Sequence, residues 1–376
     1  MAPIRTPQWM TLDTYVARTT WSEKLQRVAN DLVVVTALVG TVAAYRGNIR
    51  GIARPIYDIS LVLTVRKIIA LIIGYSIHLC ASPYPTFSKL EDRVAGGIEA
   101  LQKQGYTVKP LSLWKSGNRF SGLVVTNPKI QNSGKWFIPA LGNTAPFNNQ
   151  RIEKLASEAG RFGCSTLIIN PPSVNGSGGW PLPYQQGACY DAALSFLEEQ
   201  AQAKKIIMEG HSLGGALLLK GVLAHAFKTE SVSYMMISIC TFSSLTKIAS
   251  SVVDWILRDK GGVSERVANI LSCLVHAVVA PILWLVGSEL HSLYGAKKLS
   301  DLRIHHLVIQ HCEDDRTRFT TDGIIPDRGG LAHGLRQADI THRTDVLENS
   351  CISHNHIQSH AIITERKNQI RAFLES

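Results

Sequence analysis

Ile206-Ile207-Met208-Glu209-Gly210-His211-Ser212-Leu213-Gly214-Gly215 is the stretch that decides the fold. A short apolar run ends in a Gly-x-Ser-x-Gly turn, and an Ala/Leu-rich segment follows from Ala216. This reads as a buried strand, a sharp turn carrying Ser212, and a helix that starts at Leu213. Gly210 and Gly214 stand two residues either side of the serine, which suits a turn where strand and helix pass too closely for side chains. Such a turn lifts the Ser212 hydroxyl clear of the sheet. It also aims the Leu213 backbone N–H, at a helix N-terminus, toward developing negative charge. A structural serine in a glycine-rich turn is the competing reading, and the strand–turn–helix context weighs against it.

Strands and helices alternate on both sides of this stretch. Lys89 to Gln104 predicts an amphipathic helix, and Val108 to Trp114 and Phe120 to Thr126 predict strands joined by the turn Ser116-Gly117-Asn118. Trp136 to Ala140, Thr166 to Asn170, Lys205 to Met208, Tyr234 to Cys240 and His306 to Gln310 read as strands, with Val346 to Glu348 a weaker one. Gln150 to Phe162, Gln185 to Gln200, Leu213 to Phe227 and Ile362 to Leu374 read as helices. The pattern implies βαβ units, hence an α/β chain with a mostly parallel sheet and helices on both faces.

Pro83, within Ala81-Ser82-Pro83-Tyr84-Pro85, divides a catalytic domain (83–376) from an apolar, basic, helical N-terminal region (1–82). Leu32 to Tyr45 and Ile68 to Ala81 are apolar runs of about 14 residues, roughly 21 Å of helix and short for a bilayer core of about 30 Å. Read alone, they form either a membrane hairpin or helices packed on the catalytic domain. Val267 to Gly287 is an apolar run of 21 residues that holds Pro281. It lies between two sheet strands, where crossing a membrane would tear the sheet, so it reads as a buried or lid helix in an insertion at about 246–300.

The 376 residues carry a formal net charge of +10. Residues 1–83 hold nine Lys/Arg against four Asp/Glu, beside the apolar runs. That neighbourhood favours an anionic membrane surface over nucleic acid as partner, with a solvated basic face as the plain alternative. Seven cysteines without a C-x-x-C pair argue against a disulfide framework and a zinc site, and suit a reducing compartment, membrane-associated or cytoplasmic. Met1 to Met10 lack the layout of a cleavable signal peptide.

The segment from about Lys135 onward resembles the α/β-hydrolase superfamily, and its Gly210-His211-Ser212-Leu213-Gly214-Gly215 form is similar to the esterase/lipase members. Phe137-Ile138-Pro139-Ala140-Leu141-Gly142-Asn143-Thr144 resembles the family's strand and oxyanion loop, with Leu141 where the family has histidine. Leu167-Ile168-Ile169-Asn170-Pro171-Pro172, with Asn175-Gly176-Ser177-Gly178-Gly179, resembles a further family strand and turn, with Pro171-Pro172 in place of Tyr-Arg. Thr241-Phe242-Ser243-Ser244-Leu245 is a fourth match. Length, greasy N-terminus and these variants also resemble the CHLPS 43 kDa proteins of chlamydiae.

The resemblance implies a Ser-acid-His triad in that chain order. A serine hydroxyl is a poor nucleophile until a histidine takes its proton, and an acid orients that histidine. Ser212 is the nucleophile, and Leu213 and Asn143 supply the oxyanion N–H groups. The acid comes from Glu313-Asp314-Asp315, after the strand His306 to Gln310, with Asp314 favoured and Asp315 second. The base comes from His354, His356 or His360; Ser353-His354-Asn355-His356 resembles the family's Gly-His-Asn ending and favours His354. The expected activity is hydrolysis of an ester or thioester, with an acylated small molecule or lipid as substrate and neither cofactor nor metal. The departures Leu141 and Pro171-Pro172 support a rival reading: a catalytically silent hydrolase fold acting as a membrane-associated interaction module.

Overall fold

The computed structural model describes residues 14–17, 94–127, 130, 133–140, 148–172, 174, 176–179, 183–255, 257, 264–285, 289–311, 325, 329–340, 342–349 and 360–376. The strands are Thr14–Val16 (β1), Thr107–Lys115 (β2), Asn118–Thr126 (β3), Lys135–Ala140 (β4), Ser165–Ile169 (β5), Lys205–His211 (β6), Ser233–Ile239 (β7), His305–His311 (β8) and Thr344–Asn349 (β9). The helices are Ala95–Lys103 (α1), Asn149–Arg161 (α2), Pro183–Glu199 (α3), Leu213–Ala224 (α4), Leu245–Trp255 (α5), Glu265–Leu285 (α6), Ser292–Asp301 (α7), Leu331–Gln337 (α8) and His360–Glu375 (α9).

The strands form one nine-stranded sheet in the order β1-β2-β3-β5-β4-β6-β7-β8-β9. Only β3 runs against its neighbours; every other pairing is parallel. The β2–β3 hairpin closes through Ser116 and Gly117, both at positive φ (51° and 74°), the handedness a tight two-residue turn requires. Parallel strands joined by helices are covered on both faces, and their sequences show it: β5 is buried at each of its five positions. One face packs α3, α4, α7 and α8 through residues such as Phe196, Leu218, Leu299 and Leu335. The other packs α2 and α9 through Ala159, Ile362, Ile370 and Leu374, with α1 beside them.

Most expected elements stand where the pattern places them, within a few residues, and two differ. No strand is expected before Val108, yet β1 pairs in parallel with β2, so the sheet draws on residues ahead of the boundary at 83. Tyr15 is 6% exposed, meets Phe196 edge to face, and donates a hydrogen bond to Glu199 at 2.7 Å. The apolar runs at 32–81 lie outside the described residues.

Helix α6 occupies the long apolar run, but it is not wholly buried. Ala268 and Leu283 are buried, and Ser272 Oγ donates to the Ser250 carbonyl of α5 at 2.9 Å. Val267, Ile270, Leu271, Leu274 and Val278 are exposed, an apolar stripe at helical spacing. Among the described residues no helix is long and apolar enough to cross a membrane.

Candidate active site

Strand β6 is the hub of the site. It lies between β4 and β7, and the register aligns Ala140 with Gly210 on one side and Ile239 with His211 on the other. Ile239 aligns with Ile309 of β8, and Ile309 with Leu347 of β9. Five parallel strands therefore end along one edge, and Ser212 is the first residue beyond that edge on β6.

Ser212 has φ 54° and ψ −122°, a conformation that favours glycine and that a side chain occupies under strain. Two contacts hold it there. Its backbone N–H donates to the Ile239 carbonyl at 2.8 Å, and its carbonyl accepts from Gly215 N–H at 3.1 Å. Leu213 is the first residue of α4, so its N–H has no partner within the helix, and the helix dipole adds partial positive charge at that point. The Ser212 side chain makes no capping hydrogen bond to α4 and is half-buried. The hydroxyl is thus presented at the sheet edge beside a backbone donor that has no acceptor within its own helix.

The crowding that demands glycine falls on Gly210 and Gly215. A Cβ on Gly210 would stand 2.4 Å from the Gly215 Cα, and one on Gly215 would stand 2.0 Å from Thr241 Oγ1. Thr241 is fully buried and follows Cys240, which itself has positive φ (48°). The turn after β7 therefore packs directly on the start of α4, a role for Thr241 that the sequence did not reveal.

The other sequence candidates divide. His360 is the first residue of α9 and is exposed. Asn143, Asp314, Asp315, His354 and His356 lie outside the described residues. In the chain, Asn143 follows the end of β4 by three residues, Asp314 follows β8 by three, and His354 follows β9 by five. His306 is structural: Ser238 Oγ lies 2.9 Å from its Nε2, and complete burial pushes its pKa down to about 3, so it is neutral. His305 pairs with Asp345 at 2.9 Å. Among the described residues no group of three or more His, Cys, Asp or Glu is placed to hold a metal.

Two buried charge clusters escaped the sequence reading. In the first, Arg366 of α9 binds Glu209 of β6 and Glu158 of α2. Burial pushes the Glu209 carboxyl above its ordinary range, and the Arg366 charge offsets part of that rise. In the second, His225 ends α4 and lies between two carboxylates, with Nδ1 2.8 Å from Asp191 and Nε2 2.6 Å from Glu198. Lys115 pairs with Asp191 at 2.5 Å, Tyr234 donates to Glu198, and Lys298 donates to the His225 carbonyl at 2.6 Å. Burial alone would lower the His225 pKa, but Asp191 and Glu198 outweigh it and raise the value above the ordinary 6.5.

A histidine raised on folding stabilises the fold fully below about pH 6.5, and that contribution is lost as pH rises through the folded value. The wild type is therefore expected to lose thermal stability between neutral and mildly alkaline pH by a component that His225→Gln lacks. Thermal midpoints measured from pH 6 to 9 for both proteins check this; parallel curves would refute it.

No family model matches the chain. No curated protein sequence matches it either. Among solved structures, the chain is similar to an alpha-beta hydrolase from Vibrio vulnificus, with 13% identity over 81% of this chain and 93% of that one and a TM-score of 0.52. The esterase Pf2001 from Pyrococcus furiosus aligns with 12% identity over 74% and 93% at a TM-score of 0.49. Carboxyl esterase 2 from the fungus Tuber melanosporum aligns with 14% identity over 72% and 86% at 0.46. At these identities the likeness is one of fold. With its serine held at the end of the central parallel strand and its architecture shared with the Vibrio protein, the chain has the α/β-hydrolase fold, on a mostly parallel sheet of nine strands.

Proposed function

We propose that the protein is a serine hydrolase acting on a carboxylic ester or thioester of an acylated or lipid substrate. The observation that carries this reading is the backbone of Ser212, held at φ 54° between β6 and the first N–H groups of α4. Strain of about 1–3 kcal/mol at a side-chain-bearing residue persists where surrounding structure enforces it, and here it puts a hydroxyl beside an oxyanion donor. Ser212 Oγ attacks the acyl carbon and passes its proton to His354, which Asp314 orients. The oxyanion rests on the N–H groups of Leu213 and Asn143. As the intermediate collapses, the bond to the leaving oxygen or sulfur breaks and His354 returns the proton to it. Water, deprotonated by His354, then attacks the Ser212 ester; the Oγ–acyl bond breaks, His354 returns the proton to Ser212 Oγ, and the acid leaves. The exposed stripe Val267, Ile270, Leu271, Leu274 and Val278 on α6 supports an apolar acyl substrate and a lid role for that helix. With the basic segment 1–83, it also supports contact with an anionic membrane surface.

Labelling with a fluorophosphonate probe tests the reading. Wild type is expected to label, and Asp314→Asn and His354→Ala to label at least 100-fold more slowly, in line with the 10²–10⁴ typical of general acid–base groups. Asp315→Asn, His356→Ala and His360→Ala are expected to label like wild type; loss in one of these instead would reassign the acid or the base. Folded wild type that does not label, with detergent present to open a lid, would favour the silent interaction module.

A further inference from the structure

The C-terminal helix has a buried stripe of unusual regularity. Ile362, Arg366, Ile370 and Leu374 recur every four residues, and these four are its buried positions. The three apolar members pack in one cluster with Phe137, Ile207, Met235 and Leu307. Arg366 sits among them at 6% exposure. Its Nε donates to Glu209 Oε2 at 2.8 Å, its Nη2 to the same oxygen, and its Nη1 to Glu158 Oε1 at 2.6 Å.

A second tie lies further along the same strand. Lys205 Nζ donates to the Phe373 carbonyl at 2.9 Å and stands 5.6 Å from that ring's centre. Lys205 begins β6 and Glu209 lies near its end, whereas Phe373 follows Arg366 in α9. The helix therefore runs antiparallel to the strand, and its first residue points toward the edge where Ser212 stands. Three residues of strand from Glu209 to Ser212 rise about 10 Å. Six residues of helix from Arg366 back to His360 rise about 9 Å. Measured from one ion pair, the nucleophile and the start of α9 stand at about the same level.

The apolar stripe cannot set that level by itself. A slip of one turn, about 5.4 Å, would still bring two of its three apolar members onto the sheet. Arg366 removes the degeneracy, because a slipped helix would leave it and Glu209 buried apart. Buried pairs add little net stability, and their best-attested use is to specify one register. Arginine suits this because its planar fork reaches two carboxylates at once, which an ammonium does not.

We infer that Arg366 is a positioning residue: its fork on Glu209 and Glu158 fixes the register of α9 against β6, and so sets the level, relative to Ser212, of the start of α9, which the candidate base precedes in the chain. This role rests on the serine-hydrolase reading above. It acts through the base and predicts a change in how labelling depends on pH as well as in its rate.

The test is the rate of fluorophosphonate labelling against pH for the full chain as wild type, as Arg366→Lys, and as the double variant Glu209→Gln/Arg366→Met. The double variant removes both members of the buried pair together, so that neither charge is left buried alone. Each variant is expected to label at least tenfold more slowly at pH 7, with the pH midpoint displaced by half a unit or more, while melting within a few degrees of wild type. A folded double variant with wild-type rate and midpoint would overturn the role and show the pair to be structural only. Should the double variant fail to fold, Arg366→Lys decides by the same two readings. Wild type that labels without needing Ser212 or His354, or does not label, would overturn the hydrolase reading and this role with it. Loss confined to the Arg366 variants supports both.

Discussion

Replacing Ser212 with alanine is expected to lower turnover of any ester substrate by about 10⁴- to 10⁶-fold and to abolish probe labelling, with no change in the thermal midpoint. Ser212→Gly should be equally inactive but more stable. The native φ of 54° is one that glycine adopts freely and alanine does not, so the alanine variant keeps the strain and the glycine variant relieves it. A net gain of about 1 kcal/mol is expected once the greater flexibility of unfolded glycine is subtracted, a rise of about 2–4 °C at most for a domain of this size. The comparison separates backbone from chemistry. Equal midpoints for the two variants would show that Ser212 is not strained, and residual labelling in either would place the nucleophile elsewhere.

Gly210→Ala is expected to have the largest effect on folding. Its new Cβ would meet the Gly215 Cα at 2.4 Å, backbone against backbone, with no flexible side chain able to yield. Overpacking of this kind costs about 3 kcal/mol, which corresponds to about 6–12 °C in midpoint. Labelling should fall with it even well below the melting range, because strand and helix separate at the residue that aims Ser212. Gly105→Ala is the control: it has φ 85° and nothing within 4 Å of the added carbon. That change should cost only about 1 kcal/mol of local strain and leave labelling at the wild-type rate. Equal behaviour of the two variants would mean that β6 and α4 do not pass as closely as the fold requires.

The serine turn was legible because its requirements are local. Strand, glycine, serine and helix lie within ten consecutive residues, and neither the crowding nor the helix terminus needs distant partners to be inferred. The alternation from Val108 to Leu374 was legible for the same reason. What escaped was set by tertiary contact. Leu213 to Phe227 reads as one helix, yet α4 stops at Ala224 because His225 turns extended (ψ 140°) to lie between Asp191 and Glu198. Nothing in the helix Ile362 to Leu374 singles out Arg366, and only the fold shows that it falls on the buried stripe opposite Glu209. The packing of Gly215 against Thr241 was not legible, since that approach comes from a turn 26 residues further on. Strand β1 spans three residues, too few for any period to register.

That short strand has a kinetic consequence. Thr14 pairs with Ser112, so 98 positions of chain separate the partners, and the pairing extends over only three residues. The entropy of closing so large a loop is recovered only when the β2–β3 hairpin already offers an edge, so β1 joins after that edge has formed. By the same reasoning it leaves first. Its amide hydrogens should exchange through local opening, far ahead of those in β6 and β7 at the centre of the sheet. The Tyr15 ring, lifted off Phe196 in that opening, then exposes the flank of α3 while the strand that carries Ser212 stays closed.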